Sequence, residues 1–139
     1  MRLLSVWGLV EVVRPLNGLL MGLAVLIGMY VSSGSVDLVL GALGFLVGFL
    51  LSGGTMAVND YFDFEVDSVN DPDRPLPSGR VRAGVALALG LSLSILGVAL
   101  AGLINGYAFT IALSSFILAV YYNIKGKRSG FFGNIIVSI

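Results

Sequence analysis

Charge is missing from three long stretches of this chain: residues 15–36, 38–59 and 83–124 contain no Asp, Glu, Lys or Arg. A hydrocarbon core about 30 Å thick takes about 20 helical residues to cross. Each of the first two runs is therefore one crossing, and the third is long enough for two with a tight connection. The expected fold is an all-α membrane protein, a multi-span helix bundle with spans near 15–33, 37–60, 83–103 and 106–123. Composition agrees. The chain is 57% hydrophobic and 12% charged, with mean hydropathy +0.98, whereas soluble domains carry about 25% charged residues.

Local signals divide the spans. Leu3, Val6, Trp7, Val10 and Val13 recur at roughly helical spacing, which predicts a short surface helix over residues 1–14 with Trp7 at the membrane interface. Arg14-Pro15 marks the start of the first span, because proline is tolerated in a first helical turn. Ser32-Ser33-Gly34-Ser35 is the next turn. Gly41, Gly44 and Gly48 form a small-residue face where another helix can approach closely. The adjacent pair Gly53-Gly54 is expected to loosen or kink the second span near its polar end. Pro72, Pro75 and Pro77 stiffen a polar loop over residues 68–82. Residues 102–106 hold the natural turn between the last two spans. The segment 133–139 opens like a fifth span near Asn134 but is too short to cross. The expectation is that residues 1–139 are the N-terminal part of a longer transmembrane domain.

Basic residues orient the arrangement. Arg2 and Arg14 precede the first span, Arg74, Arg80 and Arg82 follow the second, and Lys125, Lys127 and Arg128 follow the fourth. The alternate connections carry none. The positive-inside rule then places the N-terminus, the 60–82 region and the last basic loop in the cytoplasm.

Acidic residues are concentrated as well. Of the 8 Asp and Glu residues in the chain, all but Glu11 and Asp37 lie between Asp60 and Asp73. A helix continued through this stretch places Asn59, Asp63 and Asp67 at i, i+4 and i+8, on one face. Asp60 joins Asp63 and Asp67 along the neighbouring edge. Oxygen-bearing side chains on one stripe repel each other unless a cation sits among them. Hard oxygen donors select Mg²⁺ or Ca²⁺, and Mg²⁺ usually shares its shell with phosphate oxygens. A Mg²⁺–diphosphate site at the end of a membrane helix follows as an expectation. Arg14, Arg74 and Lys125 on the same side suit an anion held between metal and cations.

Other chemistries are excluded or less well matched. Cysteine and histidine are absent, which removes disulfides, thiolate metal sites, cysteine nucleophiles and the commonest general base. Zero net charge says nothing about a nucleic-acid partner, and no basic cluster is large enough to suggest one. A solvated helix end also clusters charge. A cation-coupled carrier also places acids in membrane helices, but near the midplane and on broken helices. A CDP-alcohol phosphotransferase requires Asp-Gly where Asp63-Phe64 stands.

Asn59-Asp60-x-x-Asp63-x-x-x-Asp67, with Asp73-Arg74-Pro75-Leu76-Pro77-Ser78-Gly79 after it, resembles the first aspartate-rich motif of the UbiA superfamily of intramembrane prenyltransferases. Arg14-Pro15-x-Asn17 resembles that family's first-helix motif. Tyr121-Tyr122-Asn123-Ile124-Lys125 resembles its Tyr-x-x-x-Lys pattern, and Asn134 the start of its fifth span. The resemblance implies a nine-helix bundle whose second aspartate-rich motif lies outside these residues, in a missing C-terminal half. It implies transfer of a prenyl group from a prenyl diphosphate to a lipid or aromatic acceptor. Asn59, Asp63 and Asp67 would hold Mg²⁺. Asn59 and Asp60 would contact the diphosphate, and Asn17 would line the pocket. Arg14, Arg74, Tyr121 and Lys125 would bind diphosphate oxygens or stabilise the leaving group. A short N-terminal arm, many small residues and the Asn-Asp form of the motif resemble the family's archaeal ether-lipid branch, which adds geranylgeranyl to geranylgeranylglyceryl phosphate. Quinone, haem and chlorophyll precursors are the alternative acceptors.

Overall fold

The structure, a computed structural model, describes residues 5–125. The described residues are helical apart from short connections: α1 Val6–Val13, α2 Pro15–Ser33, α3 Leu38–Phe62, α4 Phe64–Asn70, α5 Ala83–Ile104 and α6 Gly106–Ile124. Four helical segments are long and apolar enough to cross a membrane; the first runs through α1 and α2. Their outer faces carry exposed Leu, Ile, Val and Phe side chains, among them Leu20, Ile27, Leu103 and Ile111. In a bilayer such faces meet lipid, so their exposure is no liability. The expected fifth span and the basic residues Arg2, Lys127 and Arg128 lie outside the described residues.

Side-chain caps start three of the six described helices, α1, α3 and α6. Asp37 caps α3, its carboxylate accepting from the Val39 and Leu40 N–H groups at 2.9 Å each. Asn105 caps α6 through Ala108 N–H at 2.8 Å. Both satisfy donors that a helix start leaves unpaired. The α5–α6 turn is tighter than the sequence suggests: Gly102 and Gly106 are helical, and Asn105 alone connects the two helices. Arg14 links α1 to α2 in the left-handed conformation, with φ 50° and ψ 66°. Pro15 disfavours the right-handed region for the residue before it, and the left-handed turn redirects the chain there.

α3 is the central helix, packed chiefly on α5 and α2 and also on α6 and α1. Glycine permits these approaches. A Cβ on Gly48 would stand 3.0 Å from the Met21 backbone oxygen, and one on Gly44 would press Val25 of α2. The Gly41, Gly44 and Gly48 face is thus where α2 lies. Gly53 and Gly54 depart from expectation: α3 runs through them without a break. Their role is close packing. A Cβ on Gly54 would stand 2.7 Å from the Gly90 carbonyl oxygen of α5, and one on Gly90 would stand 2.8 Å from that of Gly54. Gly53 lies against Val13 of α1 in the same way. Small residues that let backbones meet are a general basis of helix association in lipid.

The interruption comes ten residues later. Asp63, with φ −89° and ψ 0°, separates α3 from the short α4. The acidic stretch is thus shared between the end of α3 and the short α4. The loop that follows folds back as a plug. Leu76 and Val81 are buried with Val12 of α1, Ala57 of α3 and Ala86 of α5. Gly79, at φ 73°, makes the turn that returns Val81 N–H to the Pro75 carbonyl at 2.9 Å.

Candidate active site

The end of α3, the helix α4, the 71–82 loop and the α1–α2 junction converge at one end of the bundle. There they assemble a chain of alternating charges. Arg14 Nη2 donates to Asp60 Oδ1 at 2.8 Å. Arg74 Nη1 lies 3.8 Å from the same Asp60 oxygen and donates to Asp67 Oδ2 at 2.6 Å, while its Nε donates to Asp71 at 3.3 Å. The Asp60 side chain is 5% exposed and that of Asp67 13%. Burying carboxylates this deeply is costly unless cations and hydrogen bonds meet them. Asp67 hydrogen-bonds Arg74 and so pushes its guanidinium above the usual arginine range, while partial burial opposes this. Arg74 is a permanent cation here.

Asn59 and Asp63 form a second pair beside this chain, the amide donating to Asp63 Oδ2 at 2.9 Å. The two lie one helical turn apart, and the backbone keeps its helical bonding across the interruption: Asp63 N–H reaches Asn59 O at 2.9 Å and Asp67 N–H reaches Asp63 O at 2.8 Å. The donors at 59, 63 and 67 are all hard oxygens, which suits Mg²⁺. Among the described residues no three acidic side chains converge into a cage for a metal ion. An ion held here would depend on oxygens from a bound ligand. Asp60 fits that role poorly, since two arginines claim its charge.

An apolar groove of about 780 Å³ begins beside this polar end. It runs between α2, α3 and α6, lined by Asn17, Met21, Gly48, Leu51, Met56, Ala112 and Phe116, among others. Along α3 it extends from Gly44 to Met56, about 18 Å at 1.5 Å per residue. Met56 joins the two regions, because it lines the groove while its sulfur lies 3.6 Å from Arg14 Nη1.

Arg14, Asp60, Arg74 and Asp67 are thus brought together, Asn59 and Asp63 stand as a pair, and Asn17 lines the groove. Tyr121 and Lys125 are not brought into this cluster: both are exposed at the end of α6 and join none of these ion pairs. The groove residues Ser52, Thr55, Met56 and Ser115 were not singled out from the sequence. Ser52, Thr55 and Asn59 fall at i, i+3 and i+7 of α3, so extending the Asn59 stripe backwards finds them. Asn123 is a further buried polar residue on α6, 8% exposed, whose Oδ1 has no partner among the described residues.

A bundle of membrane-crossing helices with a charged end and an apolar groove opening beside it is the architecture of an integral membrane protein. Residues 21–139 match the model of the UbiA prenyltransferase family, and the chain belongs to that family. It is 39% identical over 130 residues to a digeranylgeranylglyceryl phosphate synthase of Thermococcus sibiricus, covering 93% of this chain and 47% of that protein. To the enzyme of the same name from Methanothrix thermoacetophila it is 44% identical over 133 residues, covering 94% and 49%. A solved structure from work on digeranylgeranylglyceryl phosphate synthase in membranes superposes with a TM-score of 0.90 at 33% identity, over 94% of this chain and 47% of that one. The chain spans about half the length of the curated relatives it matches.

Proposed function

We propose that these residues form part of the active site of a Mg²⁺-dependent intramembrane prenyltransferase. Its donor is a prenyl diphosphate, and its acceptor is geranylgeranylglyceryl phosphate, as the names of the relatives suggest. The observation that carries this reading is the apolar groove ending at the charged chain through Met56 and Arg14. A prenyl diphosphate has the same division, a long apolar tail and a polyanionic head.

Asn59, Asp63 and Asp67 would hold Mg²⁺ against the diphosphate, and the ion would take up charge as the allylic C–O bond ionises. Arg14 and Arg74 bring cationic donors to the same end. Asp60, pinned between them, holds both guanidiniums at the mouth of the groove. Charge stabilisation of this kind contributes several kcal/mol at a leaving group. The groove's Leu51, Met56, Ala112 and Phe116 exclude water from the developing carbocation. Asn17 contributes an amide at the groove wall, and Tyr121 and Lys125 would contact the diphosphate from the end of α6 in the complex with substrate. Further ligands would come from the part of the bundle that the relatives possess beyond the matched region.

The test is transfer of radiolabelled geranylgeranyl from its diphosphate by the full-length protein in membranes. Geranylgeranylglyceryl phosphate and an aromatic quinone precursor would be offered as separate acceptors. Transfer to the glyceryl phosphate alone is expected. Exclusive transfer to the aromatic acceptor would replace the ether-lipid assignment, and transfer to neither would remove the prenyltransferase reading.

The basic residues at this end of the bundle support an orientation with α1, the 71–82 loop and the end of α6 on the cytoplasmic side. Cysteines introduced at the exposed positions Ser35 and Asn70 are expected to react with an impermeant reagent from opposite faces of oriented vesicles. Reaction of both from the same face would overturn that orientation.

A further inference from the structure

Arg80 is absent from the charged chain, yet its guanidinium makes three hydrogen bonds. Its Nη1 reaches Glu11 Oε2 of α1 at 2.5 Å, its Nη2 donates to the Asp73 carbonyl at 2.6 Å, and its Nε donates to Ser78 Oγ at 3.1 Å. The Arg80 carbonyl accepts from Ser5 N–H at 3.3 Å, just ahead of α1. A Cβ on Gly8 would stand 2.8 Å from Val81 Cγ2, so α1 lies directly on the loop. One guanidinium thus fastens both ends of the segment that contains Arg74: Asp73 precedes Arg74, and Ser78 Oγ hydrogen-bonds the Arg74 carbonyl at 2.6 Å. α1 in turn leads through the left-handed Arg14 to the other arginine of the site.

We propose that Glu11 and Arg80 are positioning residues. Their ion pair straps the 71–82 loop to the surface helix α1 and thereby holds Arg74, together with Arg14, at the mouth of the groove. The inference rests on the reading of that mouth as a diphosphate site. Neither residue pairs with Asp60, Asp67 or Arg74, and both side chains are partly exposed. Their contribution is therefore geometric and modest, acting on where Arg74 stands when the ligand arrives. The buried Leu76 and Val81 keep the loop docked when the strap is cut, so the variants are expected to fold.

The test compares full-length wild type with Glu11→Gln, Arg80→Gln and the double variant in detergent with Mg²⁺. Binding of geranylgeranyl diphosphate, the kinetic constants for donor and acceptor, and amide hydrogen exchange over residues 71–81 would be measured. Each single variant is expected to exchange faster in that segment and to bind the diphosphate about fivefold more weakly, the scale of a partly exposed ion pair. The KM for the acceptor should stay unchanged, and the double variant should be no worse than Arg80→Gln. Faster exchange with unchanged diphosphate affinity makes the strap merely structural and overturns the proposal. Unchanged exchange, or equal weakening toward both substrates, overturns it too. A wild-type protein that binds no diphosphate fails earlier and removes the site reading on which the strap depends.

Discussion

Asp63→Asn in the full-length protein is expected to lower the rate of prenyl transfer about a hundredfold or more while leaving the fold in place. The substitution keeps the size of the side chain and removes one anionic oxygen donor. Losing one charge-stabilising ligand at a leaving-group site costs a few kcal/mol of transition-state stabilisation, and each 1.36 kcal/mol is about tenfold in rate. Asp63 is only partly buried and accepts a hydrogen bond from the neutral Asn59 amide, which an asparagine can also accept. Thermal stability in detergent should therefore change little, and the Mg²⁺ concentration for half-maximal rate should rise. Asp71→Asn offers the contrast: its side chain is 55% exposed and touches the site only through Arg74, so a mild effect is expected. A wild-type rate and Mg²⁺ dependence in Asp63→Asn would mean that the acidic stretch is a solvated helix end. Asp67→Asn should differ from Asp63→Asn, because Asp67 is buried against Arg74. It is expected to lose stability as well as rate.

Arg74→Gln is expected to produce the largest loss of stability among substitutions at this end of the bundle. Three carboxylates, those of Asp60, Asp67 and Asp71, converge on one guanidinium. Removing it leaves Asp60 and Asp67 close together in a poorly solvated place. Breaking a fully buried pair costs about 3–5 kcal/mol. The Arg74 side chain is 33% exposed, so solvent screening brings the expected cost to about 2–3 kcal/mol. A lowered unfolding midpoint in detergent is the readout. Lysine at 74 should not restore it, because a single ammonium cannot present the planar fork that serves three carboxylates. An unfolding midpoint equal to wild type in Arg74→Gln would show that the charged chain is incidental to the fold.

The two substitutions separate what was readable in advance from what was not. That Asn59, Asp63 and Asp67 recur at helical spacing is visible from residue order. That Asp63 and Asp67 have unlike surroundings is not. Packing buries Asp67 against Arg74, whereas it leaves Asp63 partly exposed beside Asn59. Likewise the adjacent glycines at 53 and 54 read as a weak point in an isolated helix, because glycine carries a propensity cost there. Within the bundle the same lack of side chains lets the α3 and α5 backbones meet, and α3 stays unbroken.

The sequence by itself determined the four crossings, the gathering of charge at one end and the residue types available there. These follow from hydropathy and charge counted along the chain, since a helix in lipid must be apolar over its length whatever its neighbours are. Only the tertiary structure decided which acid meets which arginine, where the groove opens, and how Arg80 ties the loop to α1. Those pairings join residues as far apart as Arg14 and Asp60, or Glu11 and Arg80. They depend on the angle at which helices cross and on which carboxylate is buried deeply enough to require a cation. Helical period places a side chain on a face, but the partner across that face comes from packing.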